Sequence, residues 1–316
     1  MTRLSLAALA ALLLGAAVSA CAEAEPACRV GADCASGICG SDGACIPEGT
    51  GGTGGGAAGS GGAAGSGGSA GAGGTGGTGG DPLTCRADRD GTITRAELPL
   101  RAGLRATFRL AADATVDTAG SVAGDGTRSW DLAGALPGDH GVLVETQPLE
   151  GKWFASLFPG ATYAAKLRDD SDLLGVFEVT QTHLLLRGVV SPVDGATRTE
   201  LTYEPPARLL TLPLHEGASW ETTATVSGYA NGLYPTYTER YESTVDASGT
   251  LETPFGPFDV LRVRVLLTRT VAFIPTTVRS FLFTSECFGT VASVTSADNE
   301  PLEEFTTASE VRRLAP

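Results

Sequence analysis

Lysine is nearly missing from this chain: of its 22 basic residues only Lys152 and Lys166 are not arginine. Against 36 acidic residues this leaves a net charge of −14, and no stretch is basic. A nucleic-acid binder neutralises phosphates with Lys and Arg, so that class of partner is excluded. Histidine is scarce as well, with only His140, His183 and His215. None lies in H-E-x-x-H, since His215 continues as H-E-G-A-S, which removes the zinc-protease helix. No apolar run reaches the ~20 residues that a membrane-crossing helix needs. Helical periodicity is weak too, with short candidates only at 95–102 and 151–157.

What is present begins with an export signal. Arg3, the apolar run Leu4–Val18 and the small residues after it read as a signal peptide over 1–20. Its end, Val18-Ser19-Ala20-Cys21, resembles a bacterial lipobox. The resemblance implies that the Cys21 thiol receives a diacylglyceryl group and that Cys21 becomes the acylated N-terminus. Two or three acyl chains hold a protein on a membrane stably, where one holds it marginally. The expected location is therefore the bacterial cell envelope, with the outer membrane favoured by Ala22. The partner of the N-terminus is then the membrane itself.

Cys21 also accounts for an odd total of seven cysteines. Cys28, Cys34, Cys39 and Cys45 crowd into residues 21–48 without the C-x2-C knuckle or the histidine of a zinc site. In an oxidising compartment they read as a two-disulfide knot whose connectivity stays open. Cys85 and Cys287 remain, at opposite ends of the C-terminal domain, and are expected to clasp it. Alternation in the run SFLFTSECFG puts Phe281, Phe283, Ser285 and Cys287 on one inward face.

From 49 to 80 the chain contains only Gly, Ala, Ser and Thr. It cannot bury a core and reads as a disordered linker, with an end-to-end distance of roughly 30 Å. Two catalytic-looking strings fall inside it, G-x-S-x-G at 67–71 and G-x-G-x-x-G at 49–54. Neither has the strand before it or the helix after it that the chemistry requires.

The domain at 81–316 opens with CRADRDGTITRAEL. Aligned to a calcium loop, Asp88 and Asp90 supply carboxylates, Gly91 the turn, Thr92 a carbonyl and Glu97 the bidentate ligand. Arg86 stands where the first carboxylate belongs, so an Asp-Gly turn followed by a helix-start Glu is the plainer reading. No other cofactor is indicated. Asp169, Asp170 and Asp172 read as a solvated loop, and Trp130, Trp153 and Trp220 as core.

Strand signals fill the remainder. Residues 259–271 alternate, with Leu261, Val263, Val265 and Leu267 opposite Arg262, Arg264 and Thr268, as a half-buried antiparallel strand does. Similar runs occur at 175–181, 183–190, 199–203, 220–227, 236–245, 278–285 and 290–295. Thr253-Pro254-Phe255-Gly256 has the signature of a type I turn. The runs at 191–196 and 204–207 read as strand breaks, and that at 246–249 as a joint. The fold class is mainly β: a single antiparallel domain, as a curved sheet, half-barrel or open barrel.

The order of lipobox, cysteine knot, Gly-rich spacer and β domain resembles the surface lipoproteins of myxobacteria. So do LPLHEGASW (212–220), VDASGTLETPFGPFDVLRVR (245–264) and ECFGTVASVTS (286–296). The β domain is also similar to the lipoprotein-carrier half-barrel, a curved antiparallel sheet with an apolar concave face. That similarity implies an acyl chain or a lipidated envelope protein as ligand, and no catalytic residue. A purely structural or adhesive surface lipoprotein is the alternative. A hydrolase is the third reading and requires one of the histidines to meet a nucleophile. Oligomeric state is open.

Overall fold

The computed structural model describes residues 85–316. The expected signal peptide, Cys21, the cysteines of the expected knot, Cys28, Cys34, Cys39 and Cys45, and the Gly-rich run lie outside them. The described residues form strands β1 (Thr92–Ile93), β2 (Arg105–Thr115), β3 (Ser121–Val122), β4 (Arg128–Asp131), β5 (His140–Gln147), β6 (Tyr163–Lys166), β7 (Leu174–Val179) and β8 (His183–Val190). They continue with β9 (Thr199–Thr211), β10 (Leu214–His215), β11 (Ser219–Ala230), β12 (Thr236–Thr253), β13 (Gly256–Val271), β14 (Ile274–Ser285), β15 (Gly289–Ser296) and β16 (Thr307–Leu314). The expected mainly β, antiparallel domain is therefore the one observed.

The ladder closes on itself. Each main strand pairs antiparallel with the next in the chain, the excursions β3–β4 and β10 being skipped. β2 then pairs with β16, so that 12 strands form a barrel-like ring. Closure leaves no exposed edge on those strands, which removes the template for edge-to-edge aggregation. The apolar concave face expected of a half-barrel is here the interior of the ring.

Alternation decides which side chains enter that interior. Val263 stands opposite Val245 on β12 and Leu282 on β14. These join one core with Leu261, Trp220, Ala224, Val226, Leu201, Tyr203 and Phe177 from strands around the ring. Ile93 and Leu98 enter the same core, so the N-terminal segment closes one end of the barrel. β1 pairs with β10 beside it.

Two further cores lie on the outer face. The 116–139 excursion and the loop before β16 lay Trp130, Leu132 and Phe305 over Phe281, Phe283, Val294 and Val311. Phe154 and Phe158 cover Ala164, Leu174, Val176 and Val190. Those strands are thus buried on both faces.

This double burial changes the expectation for one arginine. Arg262, assigned by alternation to solvent, is 2% exposed. Its guanidinium donates to Asp246 at 2.8–2.9 Å, to Glu304 and to the Thr118 carbonyl, and lies 4.4 Å from the Phe281 ring centroid. Its partners come from distant segments, which local alternation cannot see. Residues 246–249 are not a joint: β12 runs through them with a register shift between Val245 and Ala247. Gly249 is required there, because an added Cβ would lie 2.0 Å from the Arg128 carbonyl oxygen of the parallel neighbour β4.

Nor do residues 204–207 break a strand. They are a bulge within β9, between the pairs Leu186↔Ala207 and Gly188↔Thr202. Pro205 and Pro206 have no N–H to give the ladder, and a bulge asks for none. The two helix candidates shrink to single 3-10 turns at Arg95–Glu97 and Ala155–Leu157. Cys287 lies beyond the end of β14, in a turn with φ +66°, rather than on the strand's inward face. Phe281 and Phe283 are buried as expected, but against the outer core.

Candidate functional site

The expected clasp is present: Cys85 and Cys287 form a disulfide with Cα atoms 5.6 Å apart. Beside it the Cys287 N–H donates to the Glu97 carbonyl at 2.7 Å. Together they fasten the N-terminal segment to the β14–β15 turn. Between that segment and the β12–β13 hairpin lies a cleft of about 560 Å³.

Three phenylalanines form its apolar wall. Phe255 rides on the tight Thr253–Gly256 turn, where the Thr253 hydroxyl accepts the N–H groups of Phe255 and Gly256 at 3.2 and 3.3 Å. The expected turn signature is thus realised. The Phe255 N–H also reaches the Leu314 carbonyl at 3.1 Å, tying the turn to the chain's last strand. Phe258 follows three residues later on β13, and Phe288 sits in the turn beside the disulfide. Phe258 and Phe288 meet edge to face with centroids 4.9 Å apart, and Phe255 lies within 5.9 and 6.1 Å of the two. Phe258 is buried, whereas Phe255 and Phe288 are 51% and 50% exposed. Aromatic rings half in water are held in place by the turn and the disulfide.

Charges edge the opening. The Arg89 side chain meets Asp259 at 3.2 Å, and its backbone N–H donates to Glu286 at 3.1 Å. The floor is backbone of β12 around Ser248–Thr250, with Ile93 and Leu261 behind. An apolar wall with a few polar groups at the mouth suits a ligand with a hydrocarbon body and a polar end.

The calcium-loop residues lie next to this cleft. Asp88 and Glu97 come together with Glu286, each offering a carboxylate oxygen within 4.8 Å of the others. Asp90 and Thr92 are not in that group: the Asp90 carboxylate accepts the Thr92 N–H at 2.7 Å, an Asp-Gly turn bond. Glu97 accepts both the N–H and the hydroxyl of Thr94 at 2.7 Å. Asp88, Glu97 and Glu286 are the described residues that could hold a divalent cation, which prefers six to eight oxygens. Glu286, far away in sequence, is the third carboxylate of this group. Its position next to Cys287 was the one signal that could have revealed it.

The histidines lie apart. His140 Nε2 meets Asp169 at 2.8 Å, and this hydrogen bond, with that to the Gly138 carbonyl, raises its pKa above 6.5. Asp169 thus has a partner, while Asp170 and Asp172 stay exposed, as expected of a solvated loop. His183 contacts Thr182 at 2.8 Å, and partial burial and then the Arg208 charge lower its pKa. His215 contacts the Glu216 carbonyl. Trp130 and Trp220 are core, as expected. Trp153 donates to the Ser191 carbonyl beneath Arg198.

Inside the barrel the sequence reading missed a buried polar group. Glu239, fully buried, accepts from Tyr203 at 3.0 Å, Tyr241 at 2.6 Å and Arg269 at 2.8 Å. Its legible trace is the Tyr-x-Glu-x-Tyr alternation of 237–241, which places all three on one face. Burial and the Glu239 charge push the Tyr241 hydroxyl well above its ordinary range.

No protein-family model, no curated protein and no solved structure matches this chain.

Proposed function

We propose that this chain is a lipid-anchored protein of the bacterial cell envelope whose β-barrel domain is a non-catalytic binding module. Its ligand is an amphiphile with an acyl-type hydrocarbon body, free or carried on a lipidated envelope protein, and its site is the phenylalanine cleft. One observation carries this reading: Phe255 and Phe288 stay half-exposed against buried Phe258, along a cleft of about 560 Å³. Folding alone favours burying such rings, since each buried aromatic side chain contributes about 1.5–3 kcal/mol. The anchor rests on the lipobox-like Val18–Cys21 and on the cysteine arithmetic.

Native mass spectrometry of the exported protein, purified without detergent, tests it. A lipid-sized adduct should accompany the parent, and Phe255→Ser with Phe288→Ser should weaken its retention about tenfold or more. Unchanged retention in the double variant, or no acyl-chain binding by the parent, would sink the cleft and leave a structural surface domain.

A further inference from the structure

Twelve large hydrophobic side chains are exposed among the described residues, and six of them gather at one end of the barrel. They sit at the turns that follow β8, β11 and β13: Val193, Leu233, Tyr234, Val271, Phe273 and Ile274. Antiparallel alternation puts all three turns at the end opposite the disulfide and the phenylalanine cleft. The pair Thr238↔Thr270 sets the β11–β12 and β13–β14 turns side by side, so Leu233 and Tyr234 neighbour the run Val271-Ala272-Phe273-Ile274.

That run is an unusual hairpin tip. Ala272 and Phe273 both hold positive φ, 47° and 69°, the conformation for which two-residue turns ordinarily use Asn-Gly. Phe273 is 97% exposed and Ile274 70%. A bulky apolar side chain in a left-handed turn strains the backbone, and one this exposed buries almost nothing in return. Folding would be served better by Asn-Gly. The tip has the properties of a group that is covered by something outside the fold.

We infer that these tips insert into the surface of a zwitterionic phospholipid bilayer, with Phe273 and Ile274 deepest and Tyr234 at the headgroup level, where an aromatic ring with a polar end is favoured. A convex set of separate turn tips asks for no complementary surface, and a fluid bilayer supplies none. The net charge of −14 disfavours an anionic membrane. The inference rests on the anchor proposed above. Cys21 lies only 64 positions before the domain's first cysteine, which keeps the tips at high effective concentration near the lipid. A few side chains then suffice. Docked this way, the barrel turns its phenylalanine cleft away from the bilayer.

The test uses the full acylated protein in phosphatidylcholine vesicles, with Phe273→Trp and, as a control on the barrel wall, Leu143→Trp. The emission added by Phe273→Trp should be quenched by nitroxide-labelled phosphatidylcholine, and that added by Leu143→Trp should not. Phe273→Asn, which suits the turn and keeps the fold, should raise solvent access at Ile274→Trp in the double variant. An acylated, vesicle-bound protein whose added indole at 273 stays unquenched overturns the tip contact and leaves the anchor standing. A protein without acyl mass that washes off the vesicles overturns both. An emission change that follows protein concentration instead of lipid means a second copy covers the tips, and overturns the bilayer assignment.

Discussion

Arg262 offers the sharpest test of how the outer core is held. Its guanidinium is 2% exposed and satisfied by Asp246, Glu304 and the Thr118 carbonyl, with the rings of Phe281 and Trp130 4.4 and 5.4 Å away. Arg262→Met keeps most of the apolar packing but takes the close guanidinium partner from two carboxylates, leaving Asp246 only Arg264 at 4.0 Å. Removing one partner of a buried ion pair costs about 3–5 kcal/mol. The side chain of Asp246 is 15% exposed and that of Glu304 34%, so Glu304 can rehydrate while Asp246 largely cannot. The lower end, about 3 kcal/mol, is therefore expected. For a domain of this size 1 kcal/mol moves Tm by about 2–4 °C, so thermal unfolding should fall by roughly 6–12 °C. Adding Asp246→Asn and Glu304→Gln to Arg262→Met should recover most of the loss, because the cost lies in unpaired charge rather than in a missing contact. A drop under about 2 °C in the single variant, or a triple variant as unstable as the single, would refute the reasoning.

Four other outcomes are expected. Cys85→Ser with Cys287→Ser opens a link across 202 positions, and the chain-entropy model puts the loss at about 5 kcal/mol, read from denaturant midpoints. Gly249→Ala should destabilise by at least about 2 kcal/mol and release β4, because its Cβ would meet the Arg128 carbonyl; a neutral effect would contradict the parallel pairing. His140 should titrate above 6.5 by NMR and fall back in Asp169→Asn. Because the folded value is raised, its contribution to stability is complete below the unfolded value and fades as pH rises through the folded one. Chelation with EDTA should leave Tm unchanged, since the carboxylates of Asp90 and Glu97 already accept turn hydrogen bonds; a clear drop, abolished in Glu286→Gln, would show a bound cation instead.

The strand class and the Cys85–Cys287 pair were legible in the sequence. Two-residue alternation at 259–271 and 278–285 needs only neighbouring positions, and Thr253–Gly256 is a turn because Thr, Pro and Gly each act within four residues. Other features were not legible, because their causes are far apart in the chain. β2 carries an alanine-rich stretch with little strand propensity, and it becomes a strand because β16 and β5 pair with it on either side.

Arg262 reads as solvent-facing until the 116–139 excursion and the loop before β16 cover it. Residues 204–207 and 246–249 carry turn chemistry, yet each is absorbed as a bulge in a long strand, because the ladder on either side outweighs the local preference. The carboxylate of Glu286 meets Asp88 and Glu97 because the Cys85–Cys287 bond and the Cys287 N–H to Glu97 carbonyl hydrogen bond bring the two distant segments together. By itself the sequence determined what could be a strand and which thiols could pair. The closed ring alone decided which face of each strand is inside, because inside and outside exist only once β2 has met β16.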